Sequence, residues 1–364
     1  MTTMAEIAKQ VGVSPMTVSR ALKGSGRVRD DTRQRILDAA RDAGFFEASQ
    51  SSSLGVGGGS ADFTYLRLLL VSNQSDGKPN YNQKIADGLE EILRRSGGKL
   101  IRIASTQASE IVEAARKNRV QGIVLRYELP IEMIDELRKS YAVVYGASYD
   151  HQAGVDAVYS NEHRSAALIY EKLLELGHTT IAWVGVTDVN QPRSMAGFEG
   201  LASSRLMDRI SSSIHGVRHA AWANITHCQP RERKQPMLLI ERDWSKQTLE
   251  DIVRHAVSEI IDLRPQPTAV VVSNDVVGVA MLKEIRRRGL GVPRDFSVVS
   301  YGGSELATEH GLATIELPFE EIAAAIPELI RRRLANPAAS ALSMQLETSL
   351  REDSSLGPVR RLRG

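Results

Sequence analysis

From residue 65 onward the chain alternates short apolar runs with longer amphipathic stretches, and no other feature restricts its fold as far. LRLLLVS (66–72), KLIRIAS (99–105), QGIVLRY (121–127) and YAVVYGA (141–147) have the length and composition of strands buried on both faces. Between the first two, YNQKIADGLEEILRRSG puts Ile85, Leu89, Ile92 and Leu93 on one side of a helix. A second series follows: helix 162–176, strand TTIAWVGV, helix 193–206, a strand near PMLLIE, helix 246–262, strand TAVVVSND, helix 276–288 and strand FSVVSYG. Parallel strands need long crossovers, so this alternation predicts an α/β fold: parallel sheets with right-handed crossovers, in two similar lobes. A ligand then finds its place in the cleft at the C-terminal ends of the strands.

The first 64 residues break that rhythm. TMAEIAKQVGVSPMTVSRALKG reads as two short helices around a tight turn. Thr3 and Glu6 have capping-box spacing, Gly12 supplies the turn, and Ser14 followed by Pro15 is an N-cap with proline at the first helical position. Ile7, Ala8, Val11, Val18 and Leu22 form the inward face, which leaves Pro15, Met16, Thr17, Ser19 and Arg20 near or on the outward one. A third helix, about 30–43, turns Ile36, Leu37 and Ala40 inward. Three short helices with a sharp first turn make a helix-turn-helix unit whose second helix can enter a major groove. Thr17 and Ser19 can donate to phosphates, and the Arg20 guanidinium can grip guanine with two hydrogen bonds.

Charge distribution agrees. The whole chain carries a formal net charge of only +2, yet residues 1–46 hold eight basic side chains, Lys23 and Arg27 among them, against five acidic ones. A small basic head on a near-neutral body suits a polyanion partner, although a solvated face would look similar. With 364 residues, 42% of them hydrophobic, the chain can bury one or two sizeable cores. No apolar stretch near the start resembles a signal peptide and none is long enough for a bilayer, so a cytoplasmic protein with no membrane partner is expected. The single cysteine, Cys228, excludes an intrachain disulfide and reads as a packed or surface thiol.

The segment MAEIAKQVGVSPMTVSRALKGSGRVRDDTRQRILDAARDAGF resembles the DNA-binding head of the lactose-repressor (LacI/GalR) family of bacterial transcription regulators, notably in IAKQVGVS, TVSRAL, TRQRIL and AGF. The resemblance implies that Pro15, Met16 and Arg20 read bases while Thr17 and Ser19 meet the backbone; Thr3, Ser14, Lys23 and Arg27 complete the DNA-contacting set. It extends more loosely through AALIYEKLLELGHTTIAWVGV, RSMAGFEGL, VVVSNDVVGVAMLKEIRRRGLGVPRDFSVVSY and LATIELPFEEIA, whereas residues 207–240 match poorly. It implies a periplasmic-binding-protein-like regulatory domain in which a small molecule, often a sugar or nucleobase, closes the cleft and alters the spacing of two DNA-binding heads in a homodimer.

On that frame the helix-turn-helix domain spans 1–46, a hinge and Ser/Gly linker 47–64, an effector-binding and dimerisation domain 65–353, and a tail 354–364. The N-lobe takes about 65–160 and 317–338, the C-lobe about 161–316 and 339–353. In the linker SQSSSLGVGGGSAD, Leu54 falls in register with the leucine that paired hinge helices of the family press into the minor groove. The cleft departs from the family. Ser194 stands at the position of a common arginine, with Arg193 one place off; Gly302 and Gly303 replace a common aspartate after Tyr301; Asn161 and Glu162 replace an Asp-Asn pair. Tyr81, Asn161, Arg193, Ser194, Asn274 and Tyr301 are the resulting effector-binding candidates, and Asn274 also suits a turn after a strand.

Catalytic and metal chemistry has no such footing. His215 and His219 in HGVRH share a helical face with no acid or cysteine to complete a zinc set, and read as a surface pair; His178 reads as a helix-end residue. GVGGGS lacks the strand before it and the Lys-Ser/Thr after it that a phosphate loop needs. The expectation is a sequence-specific regulator, most simply a repressor, that is not an enzyme and uses no metal or cofactor. The competing expectation is a cytosolic small-molecule-binding protein or enzyme with the same body, whose helical head contacts protein.

Overall fold

The computed structural model describes residues 4–22, 28–42, 65–72, 81–127, 129–146, 154–188, 214–227, 237–242 and 248–359. The expected helix 193–206, the linker with Leu54, Cys228, the last residues of the tail, and Thr3, Lys23, Arg27, Arg193 and Ser194 lie outside them. The head is three helices, α1 (Met4–Val11), α2 (Pro15–Leu22) and α3 (Asp30–Asp42). Its core holds Ile7, Ala8, Val11, Val18, Ala21, Ile36 and Ala39. Tyr65, the first described residue of the body, donates a hydrogen bond from its hydroxyl to the Ala21 carbonyl of α2.

Each lobe of the body is a six-stranded sheet between two layers of helices. The N-lobe strands are β1 (Arg67–Ser72), β2 (Lys99–Ala104), β3 (Gly122–Leu125), β4 (Ala142–Gly146), β5 (Asp156–Ser160) and β11 (Ser343–Leu346), in the order β11-β5-β4-β3-β1-β2 and all parallel. Successive side chains of a strand point to opposite faces, so Leu68 and Leu70 pack under α4 (Tyr81–Arg95) and α12 (Phe319–Ala335). Leu69 and Val71 pack instead under α5 (Ala108–Asn118) and α6 (Ile131–Arg138).

In the C-lobe the strands β6 (Ile181–Asp188), β7 (Met237–Arg242), β8 (Ala269–Val272), β9 (Ser297–Tyr301), β10 (Ala313–Glu316) and β12 (Ser349–Arg351) run in the order β12-β10-β9-β8-β6-β7, with only β12 antiparallel. Ala182 and Val184 face α9 (Leu249–Asp262) and α10 (Asp275–Arg287). Ile181 and Trp183 face α7 (Glu162–Glu175) and α8 (Ile214–His227). A short α11 (Glu305–Glu309) follows β9.

The chain crosses between lobes at 160–162, 316–319 and 346–349. The last crossover is a correction to the expected boundary at 338/339. Residues 339–346 stay with the N-lobe because β11 pairs with β5, Ser343 opposite Ala157. Asp156 secures that return: its buried carboxylate accepts from Arg332 at 3.1 Å, from Arg333 at 2.8 Å and from the Leu342 amide at 2.7 Å.

Candidate nucleic-acid interface and effector cleft

The head presents α2 as a helix with one face in the core and the other in solvent. Gly12, at φ 77°, makes the turn, and its amide and that of Val13 both bond back to the Ala8 carbonyl. Ser14 then caps α2, its hydroxyl accepting from the Thr17 amide at 3.1 Å and lying 2.8 Å from the Thr17 hydroxyl. Cap and phosphate-facing positions are thus neighbours. Val18 and Ala21 are wholly buried, while Pro15 and Arg20 are exposed and Met16 keeps 63% of its surface in solvent. Ser19 lies within α2. The third helix locks the pair when Arg35 donates to the Val11 carbonyl at 3.1 Å. Ala39 supplies the inward position beside Ile36.

The cleft is built around the crossovers. An open groove of about 760 Å³ runs along the hinge, lined by α4, residues 316–321 and residues 347–349. Its carboxylates, Asp87, Glu316, Glu320, Glu321 and Glu347, outnumber its one lining cation, Lys84. Lys84 reaches from the N-lobe across to the Gly303 carbonyl of the C-lobe at 3.3 Å, its ammonium 5.5 Å from the centre of the Phe319 ring. Two crossovers are tied together by Asn161 to Glu347 at 3.1 Å and Ser165 to Thr348 at 2.9 Å.

Three effector-binding candidates are engaged in the scaffold. Asn161 caps α7 through the Arg164 amide at 3.1 Å, and Asn274 caps α10 through the Val277 amide at 2.9 Å. Tyr301 ends β9 fully buried, and burial, with the Glu162 carboxylate adding to it, pushes its phenol far above the usual range. Tyr81 opens α4 beside the groove.

What fills the top of the C-lobe is a set absent from the expectation. The Arg218 guanidinium, on α8, lies 4.8 Å from the centre of the Tyr301 ring. It donates from Nε to Glu162 Oε2 at 3.0 Å and from Nη1 to the Ser273 carbonyl at 2.8 Å. Ser160, the last residue of β5, donates to Glu162 Oε1 at 2.7 Å. Both charged side chains are 2% exposed. Trp183 stacks on Trp222 and meets Tyr301 and His219 edge-on, with ring centres 5.9, 5.9 and 6.3 Å apart.

His219 is therefore no surface residue: burial against this aromatic cluster pushes its pKa down to about 4. The periodicity of α8 hides this, because Arg, His and Trp on its inner side leave no clean apolar stripe. His178 ends the turn after α7 as expected, but it also clasps the tail. Its Nε2 donates to the Gly357 carbonyl and its Nδ1 accepts from the Thr268 hydroxyl, both at 2.9 Å.

With head and body in view, the comparisons with known proteins fall into place. Residues 3–46 match the family model of bacterial regulatory proteins of the lacI family, and residues 170–356, half of the chain, match that of the periplasmic binding protein-like domain. The chain belongs to the lacI family. Relatives of this lacI-family regulator include catabolite control protein A of Priestia megaterium, 22% identical over 94% of this chain and 96% of that protein. The HTH-type transcriptional repressor PurR of Vibrio cholerae is 23% identical over 92% of each. The fold is shared with the lac repressor dimer bound to operator and the anti-inducer ONPF, at a TM-score of 0.62 with 20% identity, covering 97% of this chain and 98% of that one. It is shared too with the regulator CelR in complex with cellobiose, at 0.59 with 21% identity, covering 98% and 100%. The protein is a DNA-binding transcription regulator. No helix among the described residues is long and apolar enough to cross a membrane.

Proposed function

We propose that the protein acts as a homodimeric repressor on a near-palindromic operator, reading bases with Pro15, Met16 and Arg20 and holding phosphates with Thr17, Ser19 and the basic residues Lys23 and Arg27. The exposed outer face of α2, with Met16 at 63% exposure above a fully buried Val18, is the observation that carries this reading. One short helix reads too few bases alone, and two heads double the contact. Leu54 from each chain enters the minor groove between base steps once the linker orders on DNA. A small molecule in the hinge groove or beside it shifts the lobes and so the spacing of the heads; cellobiose plays that part of bound ligand in CelR. The protein has no catalytic role and works in the cytoplasm.

The test is selection of duplexes from a random library by the purified full chain at moderate salt, followed by titration of the selected operator. A repeated half-site is expected, with log affinity falling linearly in log salt at about 0.9 per phosphate neutralised. An absence of sequence preference would refute the reading. Leu54→Ala is expected to weaken operator binding and reduce the bend; an unchanged bend angle would leave the linker as a tether.

A further inference from the structure

The Arg218–Glu162 pair stands where a ligand clamp would stand, at the C-terminal ends of β8 and β9, and its two members come from segments 56 residues apart. Glu162 opens α7 directly beyond a crossover, and the Ser160 hydroxyl that steadies it belongs to the N-lobe sheet. One carboxylate thus links both lobes.

Two further observations point past a purely structural pair. The guanidinium grips Glu162 unevenly, with Nε to Oε2 at 3.0 Å but Nη2 to Oε1 at 3.5 Å, short of the parallel fork that arginine and a carboxylate form when free to align. Around it the donors outnumber the acceptors: Trp183 Nε1, Trp222 Nε1 and Ser273 Oγ are buried and make no hydrogen bond, as is His219 Nδ1. Buried polar groups are nearly always satisfied, and a cluster that is not marks a place where an acceptor-bearing molecule gains more than it would elsewhere.

We propose that Arg218 is the anchor of an effector site for a small aromatic carboxylate, which exchanges with the Glu162 carboxylate and lays its ring against Trp183, Trp222 and Tyr301. The exchange frees Glu162 from Arg218 and dissolves the link from Ser160 through Glu162 to the Ser273 carbonyl. The crossover at 160–162 is then released, which is how occupancy reaches the lobes. The inference rests on the effector-responsive reading above and names the ligand class. Neutral polyols lack the charge that could displace a carboxylate from a buried guanidinium and are excluded.

Two of the chain's three tryptophans line the site, so intrinsic fluorescence reports on it directly. The full-length protein is titrated with benzoate, 4-hydroxybenzoate and phenylacetate, and with benzamide and benzyl alcohol as uncharged counterparts. Saturable changes are expected for the acids, with at least tenfold weaker binding of the uncharged pair. Glu162→Gln, which removes the internal competitor, is expected to tighten acid binding at least tenfold, and Arg218→Lys to weaken it as much. Ser160→Ala, a milder change that loosens Glu162, is expected to tighten it by a smaller factor and serves if Glu162→Gln does not fold. A purely structural pair predicts the opposite for Glu162→Gln: lower stability and no gain in binding. Acids that leave the fluorescence of both the wild-type protein and the folded variant unchanged, or bind no better than benzamide, overturn the proposal. Operator binding measured on the same samples separates the two readings, since sequence-specific binding that persists beside such silence sinks the carboxylate site and leaves the regulator standing.

Discussion

Replacing Arg218 by Met is expected to cost about 3–5 kcal/mol of stability, because it strands the Glu162 carboxylate in the core with only the Ser160 hydroxyl for company. The same figure follows from the bonds. Arg218 makes two short charge-assisted hydrogen bonds, to Glu162 at 3.0 Å and to the Ser273 carbonyl at 2.8 Å, each worth about 1.5–3 kcal/mol. Against a total of about 5–15 kcal/mol for a folded domain, that leaves a weakened but measurable protein. Replacing both partners, as Arg218→Met with Glu162→Leu, removes the stranded charge along with the pair, and stability should return to within about 1 kcal/mol of the wild type. The cost of Arg218→Met alone should also shrink in acid, where protonation relieves the stranded carboxylate. Urea unfolding followed by tryptophan fluorescence measures all three variants, since Trp183 and Trp222 lie beside the pair. A loss below about 1 kcal/mol for Arg218→Met, or a double variant that loses the sum of the two single losses, would refute the reasoning.

Three further outcomes are expected. His219, held near pKa 4, and His178, lowered by burial that its bond to the Gly357 carbonyl partly offsets, both titrate below the usual histidine value of about 6.5. Their contribution to stability is therefore complete above about pH 6.5 and is lost as pH falls toward 4, at no more than about 1.4 kcal/mol per pH unit for each; urea midpoints across that range should slope accordingly, and less steeply in His219→Phe. Arg20→Ala is expected to cost about 1–3 kcal/mol of operator discrimination in a titration against matched and mismatched duplexes, with an unchanged thermal midpoint because the side chain is exposed. Gly278→Ala would place a methyl 2.6 Å from Leu312 Cδ2 and 3.1 Å from Val272 Cγ2, and should destabilise the C-lobe by about 1–3 kcal/mol in the same urea assay.

Local chemistry by itself determined the elements. The capped turn at Gly12 and Ser14, the buried runs that became β1 to β4, and the Ile85, Leu89 and Leu93 stripe of α4 all follow from side-chain spacing over a few residues, where the 2.0 and 3.6 periods act directly. The exposed face of α2 was legible for the same reason. Pairings between distant segments were not. Nothing within reach of Ser343 along the chain tells that β11 joins β5, which moved the last lobe boundary, and nothing near HGVRH tells that Arg218 meets Glu162 and that His219 is sealed beside Trp183. Residues 207–240, which match the family poorly, hold that arginine. A buried charge is stable only where a partner arrives through space, so its role was decided when α8 packed on α7 and β6, and not before.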